Sequence, residues 1–257
     1  MRQATSSHAP SQIRVISPAT ATDTACRPAR SGVGCSKCAM RAVCMPDGLS
    51  AEELSRLDEI ICLSRRVSRG EALYRSGDTF SNLYAVRAGS FKTVVTHDDG
   101  REQVTGFAIA GEPLGLDGIS DESHGCDAIA LEDSIVCVIP FHLLEMLCRE
   151  SRAVQRHVHR MMSSEIVRES ALMMLLGNMR ADERVATFLL GLSKRLEARG
   201  YSASEFNLRM TRDELGSYLG MKLETVSRTF SKLQRQALIS TQGKSVRLLD
   251  TDGLRRV

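Results

Sequence analysis

No apolar run in this 257-residue chain approaches the roughly 20 residues needed to cross a bilayer. The longest, such as "ALMMLL", are far shorter. The N-terminus lacks the apolar core of a secretory signal. No stretch carries the spacing of a catalytic triad, a P-loop or a paired-carboxylate site, which argues against an enzyme. These absences point to a cytoplasmic protein. There thiols stay reduced, and clustered cysteines suggest metal or redox chemistry over disulfides. What is present is an ordinary globular composition, 42% hydrophobic and 25% charged, long enough to fill two domains.

The net charge of +3 hides an asymmetry. From Arg180 to the end there are 15 Lys and Arg against 9 Asp and Glu, while the remainder has 19 against 22. A basic C-terminal third on an acidic body suggests a segregated nucleic-acid surface. The eight cysteines are unevenly spread. Cys35, Cys38 and Cys44 crowd into "CSKCAMRAVC", whereas Cys26, Cys62, Cys126, Cys137 and Cys148 are isolated.

Residues 1–30, rich in small polar residues and without apolar periodicity, are expected to be a disordered tail. After the cysteine segment, Ser50 and Glu53 stand at capping-box positions, and Leu54, Leu57, Ile60 and Ile61 recur at helical spacing. From about 65 to 140, short apolar runs split by Ser-Gly-Asp, Ala-Gly-Ser, Asp-Asp-Gly and Gly-Glu-Pro turns predict a β-sandwich or jelly roll. Within it "VTHDDGREQV" is a hairpin turning at Gly100. After Pro140 the pattern is helical to about Met179. There His159, Met162, Ile166, Glu169, Met173 and Leu176 recur at 3, 4, 3, 4, 3, a seam suited to a partner helix. A further helix is expected over 182–199, capped by Asp182 and stopped by Gly200.

"TRDELGSYLGMKLETVSRTFSKLQ" reads as a helix-turn-helix. Thr211 and Glu214 form a capping box, Gly216 permits close approach of a second helix, and Gly220 suits the left-handed end of the first. Leu215, Leu219, Met221, Val226, Phe230 and Leu233 fit the buried positions of two crossed helices. Glu224, Thr225, Ser227 and Arg228 lie near the start of the second helix, the end that enters a major groove. Arg can pair with guanine, Glu can accept from cytosine and Ser can bond several base edges. Lys232 and Arg235 are placed to meet phosphates. "ALISTQGKSVRLLD" completes a wing turning at Gly243.

A β-roll, a long helix and a winged helix-turn-helix, in that order, resemble the CRP/FNR superfamily of bacterial regulators. "CSKCAMRAVC", "LYAVRAGSFK", "EQVTGFAIAGEPLGLDGI", "DSIVCVIPF" and "MTRDELGSYLGMKLETVSR" place the likeness within its FNR-type branch. The resemblance implies an α+β fold: a cysteine segment at 31–48, a cyclic-nucleotide-binding-like β-roll sensor at 49–140, a dimerisation helix at 141–179 and a DNA-binding domain at 180–257. It implies that Cys35, Cys38, Cys44 and Cys137 hold an oxygen-labile [4Fe–4S] cluster. From the residues alone, Cys126 looks the more accessible fourth ligand and Cys137 could be a strand-core cysteine. The resemblance selects Cys137.

It further implies a homodimer through His159, Met162, Ile166, Glu169 and Met173, poised by facing Glu169 carboxylates. The dimer would form while the cluster is intact and loosen when oxygen degrades it. Glu224, Ser227 and Arg228 would read TTGAT-type palindromes, and Leu223 replaces an Arg found in cyclic-AMP-receptor relatives. The hairpin His97, Asp98, Asp99, Gly100 and Arg101, extending to Gln103, would contact RNA polymerase. Lys222 departs from the family, standing where many relatives have a Ser or Thr cap, a loss of about 1 kcal/mol.

Three alternatives stand beside this reading. Four cysteines also suit structural zinc. A cyclic-nucleotide regulator shares the fold, but no Arg follows Gly111-Glu112 before Arg149 to compensate a phosphodiester, so no cyclic nucleotide is expected. A thiol redox enzyme would set C-x-x-C in a βαβ unit, a pattern not found here.

Overall fold

The computed structural model describes residues 29–30, 34–45, 48–61 and 63–257. Most of the expected tail, Cys26 and Cys62 therefore lie outside the described residues. Ala29–Arg30 forms a short strand (β1). Cys35–Lys37 is a single 3-10 turn, followed by helices Arg41–Cys44 (α1) and Ala51–Ile60 (α2). Ser50 caps α2, and Glu53 closes the capping box by accepting from the Ser50 N–H at 2.8 Å.

The β-roll domain comprises strands Leu63–Val67 (β2), Ala72–Tyr74 (β3), Asn82–Ala88 (β4), Ser90–Thr96 (β5), Glu102–Ile109 (β6), Pro113–Leu114 (β7), Asp127–Ala130 (β8) and Ser134–Pro140 (β9). They form two antiparallel sheets, ordered β1-β2-β9-β4-β7 and β3-β8-β5-β6. Alternation along each strand puts one residue in two between the sheets. Val67, Val86, Phe91, Ala128 and Val136 fill that space. The hairpin joining β5 to β6 turns at Gly100, φ +83°, where the Gly100 N–H donates to the His97 carbonyl at 2.8 Å.

The expected single helix over 141–179 is two helices, Phe141–Glu150 (α3) and Arg152–Asn178 (α4). Ser151 makes the break. Its backbone is extended, its N–H closes α3 onto the Leu147 carbonyl, and its hydroxyl caps α4 by accepting from the Val154 N–H. That hydroxyl also donates to Glu53 of α2. A serine inside an apolar periodicity reads as neutral; only its distant carboxylate partner turns it into a boundary.

A winged helix-turn-helix domain follows: Ala181–Glu197 (α5), Glu205–Asn207 (β10), Arg212–Leu219 (α6), Leu223–Arg235 (α7), Ile239–Gln242 (β11), Ser245–Leu248 (β12) and Thr251–Arg255 (α8). Strand β10 pairs with β12, so the wing is a three-stranded sheet rather than a bare hairpin. Helix α5 starts after Arg180, not at Asp182. Asp182 lies inside the first turn, where a carboxylate also suits the helix dipole, and accepts from Lys232 of α7 at 2.5 Å. One apolar cluster runs from Val94, Val104 and Phe107 of the β-roll into Phe188, Leu189 and Leu215 of the C-terminal domain. Lys92 donates to Glu214 at 2.9 Å, and the Val104 N–H donates to Ser217 Oγ at 2.8 Å, fastening α6 to β5 and β6. No helix among the described residues is long and apolar enough to cross a membrane.

Candidate nucleic-acid interface and thiol site

The helix-turn-helix is assembled by short-range chemistry. The Glu214 N–H donates to Thr211 Oγ1 at 3.1 Å and the Thr211 N–H to Glu214 Oε2 at 2.7 Å, a complete capping box. Gly220 ends α6 with φ +62°, a conformation favouring glycine. Leu215, Leu219, Val226 and Leu233 are fully buried between the helices. Gly216 lies against the turn so closely that a Cβ there would stand 2.6 Å from the Met221 carbonyl oxygen. Backbone cannot retreat as a flexible side chain does. Gly216→Ala is therefore expected to destabilise this domain by about 1–3 kcal/mol, read as a lower melting temperature and faster amide exchange over 212–235. Wild-type melting would show that the two helices can separate freely.

The face of α7 turned away from this core carries Glu224, Thr225, Ser227 and Arg228, all exposed, with Lys222 beside them. Lys222 occupies the N-cap position and makes no capping side-chain bond. Lys232 is held by Asp182, so it braces α7 on α5 rather than standing free; Arg235 is exposed. Arg212 lies under this face, its guanidinium 3.3 Å from the Phe230 ring centre.

Cys35, Cys38, Cys44 and Cys137 line one cavity of about 110 Å³. Three come from the segment preceding α2, anchored where the Ser36 N–H donates to Asp58 at 3.1 Å and where His157 Nε2 meets the Cys44 carbonyl at 2.9 Å. Cys137 comes from β9, paired with Ser64 of β2 on one side and Ala85 of β4 on the other. Because successive side chains alternate, fully buried Val136 points between the sheets and Cys137 points to the outer face. Cys126 lies elsewhere, in the core between the sheets, its thiol donating to Asp117 at 3.5 Å. Cys148 is on α3 and does not line the cavity.

Burial pushes the Cys35 thiol up to about 12, and Cys137, Asp58, Cys38 and Cys44 push it the same way. Burial likewise raises Cys44 to about 11, with Cys38 and Cys137 adding to it and Arg199 opposing. The four sulfurs are thus within electrostatic reach of one another. Among the described residues, however, no three His, Cys, Asp or Glu side chains are gathered tightly enough to hold a metal ion. The chemistry of the set, four thiols lining one cavity, is that of a soft-metal donor set.

On α4, His159, Met162, Ile166, Glu169 and Met173 are all exposed. Val167 and Met174, outside the expected seam, are 65% and 61% exposed, so the apolar strip is broader than strict 3-4 spacing implies. Leu176, in contrast, packs into the DNA-binding domain core. His97, Asp98, Asp99, Gly100 and Arg101 form an exposed hairpin tip braced by an Arg101–Asp99 ion pair at 2.7 Å.

Comparison with known proteins agrees with this architecture. The cyclic nucleotide-binding domain family matches residues 64–151 and the Crp-like helix-turn-helix domain family residues 183–257. The chain is similar to the transcriptional activator protein Anr of Pseudomonas protegens, 45% identical across 84% of this chain and 88% of the relative. It is also similar to the fumarate and nitrate reduction regulatory protein of Yersinia pestis, 38% identical across 86% and 89%. Among solved structures, FixK2 from Bradyrhizobium japonicum superposes with a TM-score of 0.69 at 31% identity, covering 75% of this chain and 95% of that one. Such relatives regulate transcription and are not enzymes. With this similarity running along most of its length, the chain belongs to the CRP/FNR superfamily of transcription regulators.

Proposed function

We propose that this protein is an oxygen-responsive regulator of anaerobic-metabolism genes. Its Cys35, Cys38, Cys44 and Cys137 hold a [4Fe–4S] cluster, and as a cytoplasmic homodimer it binds TTGAT-type palindromes and RNA polymerase. The observation that carries this reading is the convergence of four thiols, from two separate parts of the chain, on one cavity. When bound by these four cysteines, such a cluster would supply the sensitivity to oxygen. The names of the relatives, an activator and a fumarate and nitrate reduction regulator, point the same way.

The chain's own residues divide the remaining work. Asp58 and His157 position the cysteine segment against α2 and α4. Ile166, Val167, Met173 and Met174 offer an apolar strip for a second α4, and Glu169 within it sets like charges across the two-fold axis. Glu224, Ser227 and Arg228 read bases while Lys222, Thr225 and Arg235 meet the backbone. The exposed 97–101 hairpin is the polymerase contact. The absence of a cyclic nucleotide from this scheme is supported by Glu112. Its carboxylate, in the turn where such a ligand would be read, is engaged by the protein's own arginines.

The test is DNA binding by protein purified without oxygen, on a TTGAT palindrome, repeated after exposure to air. Binding at least about tenfold weaker in air, with a change from monomer to dimer under anaerobic conditions, is expected for coupling of 1–3 kcal/mol. Equal affinity before and after air would overturn the oxygen switch. Colourless protein with stoichiometric zinc would overturn the cluster.

A further inference from the structure

Glu112 is 3% exposed, yet carries a charge. It sits in the turn between β6 and β7. Burial alone would raise its carboxyl, but Arg195, Arg168 and Arg199 overcome that and hold it below the ordinary carboxylate range. Arg195 of α5 grips it with two nitrogens, at 2.9 and 2.5 Å. Arg199, two residues beyond α5, donates to it at 2.9 Å, and Arg168 of α4 lies 3.8 Å away. The Ile109 N–H donates to the second oxygen at 3.0 Å. The same arginines extend the grip to the β6 end: Arg195 donates to the Phe107 carbonyl at 2.5 Å and Arg199 to the Ala110 carbonyl. A buried carboxylate stripped of its cations would be strongly unfavourable, so this turn and α5 are constrained to move together.

The other side of the turn faces the cysteine segment. Gly111 has φ +85°, and a Cβ there would stand 2.8 Å from Val43 Cγ1 and 3.1 Å from Met40 Cε. Val43 and Met40 lie between Cys38 and Cys44. Only one glycine therefore separates the thiol-bearing helix α1 from the carboxylate that α5 holds.

We infer that Glu112 is an intrachain relay, transmitting any rearrangement of the cysteine segment through Gly111 to α5 and the helix-turn-helix within one subunit. It is a route that needs no association of two chains, although Arg168 ties α4 to the same carboxylate. It depends on packing within the chain and not on what the cysteines hold, so it goes beyond the proposed oxygen response and can fail independently of it.

The experiment is a double-mutant cycle on the full chain, read by hydrogen exchange of α5 amides over 190–197. Glu112→Gln keeps the shape and removes the charge; Val43→Ala loosens the packing on Gly111. We expect exchange to rise about tenfold in Glu112→Gln and about threefold in Val43→Ala, with the double variant no faster than Glu112→Gln alone. Protection at Ala130 of the β-roll, whose N–H donates to the Glu71 carbonyl at 3.0 Å, should stay unchanged. A double variant about 30-fold faster than wild type, the product of the singles, would overturn the relay. So would exchange in Glu112→Gln within about twofold of wild type. Should Glu112→Gln lose β-roll protection as well, Arg199→Gln, which leaves the carboxylate with Arg195 and Arg168, runs the same cycle and is judged by the same two outcomes.

Discussion

Arg228→Ala is expected to weaken binding to a TTGAT palindrome by about 10- to 100-fold per half-site, the value of a good bidentate base contact. Binding to unrelated duplex DNA should change far less, because phosphate contacts supply that term. The argument rests on position. Arg228 is exposed, two residues past fully buried Val226 on α7, so its truncation removes no core contact and domain stability should hold. Lys232 makes the comparison informative. Its partner Asp182 sits on α5 with its carboxyl held low, first by that hydrogen bond. Lys232→Ala should therefore loosen the seating of α7 and weaken both duplexes together. Fluorescence anisotropy on specific and scrambled duplexes at one salt concentration separates the two cases. An equal loss on both duplexes for Arg228→Ala would remove it from base reading.

Cys137→Ser should strip most iron and sulfide from protein purified anaerobically and abolish its brown absorbance, whereas Cys126→Ser should retain both. Serine oxygen is a poor substitute for the soft thiolate that iron–sulfur chemistry requires. The contrast follows from strand register. Cys137 is on the outer face of the β1-β2-β9-β4-β7 sheet, beside Leu57, Leu83 and Cys35, while Cys126 is between the sheets with Tyr74 and Ala128. Melting of the DNA-binding domain should be the same in both variants, since neither cysteine touches its core. Full iron content in Cys137→Ser, or its loss in Cys126→Ser, would reassign the fourth ligand.

The two sites differed in how far they could be read in advance. The helix-turn-helix was legible because its determinants lie within 25 residues: a capping box, two glycines and a 3-4 apolar rhythm. The thiol site was legible only in its first three members. A cysteine in "SIVCVIP" is consistent with either face of a strand, and a one-residue shift of register would exchange Cys137 for a core position. The α4 strip was legible at Met162, Ile166 and Met173 but not at Val167 and Met174, whose exposure depends on which flank the β-roll covers.

By itself, then, the sequence determined the order of modules, the helix-turn-helix, the Gly100 and Gly243 turns and the N-terminal thiol triplet. These are set by contacts between near neighbours, whose spacing is written directly in the chain. Tertiary structure alone decided the break at Ser151, the pairing of Asp182 with Lys232, the outward face of Cys137 and the arginine grip on Glu112. Each depends on partners 50 or more residues apart. Local periodicity carries no record of such partners, because a charge or a small residue looks the same whether its distant neighbour is water or a buried counter-ion.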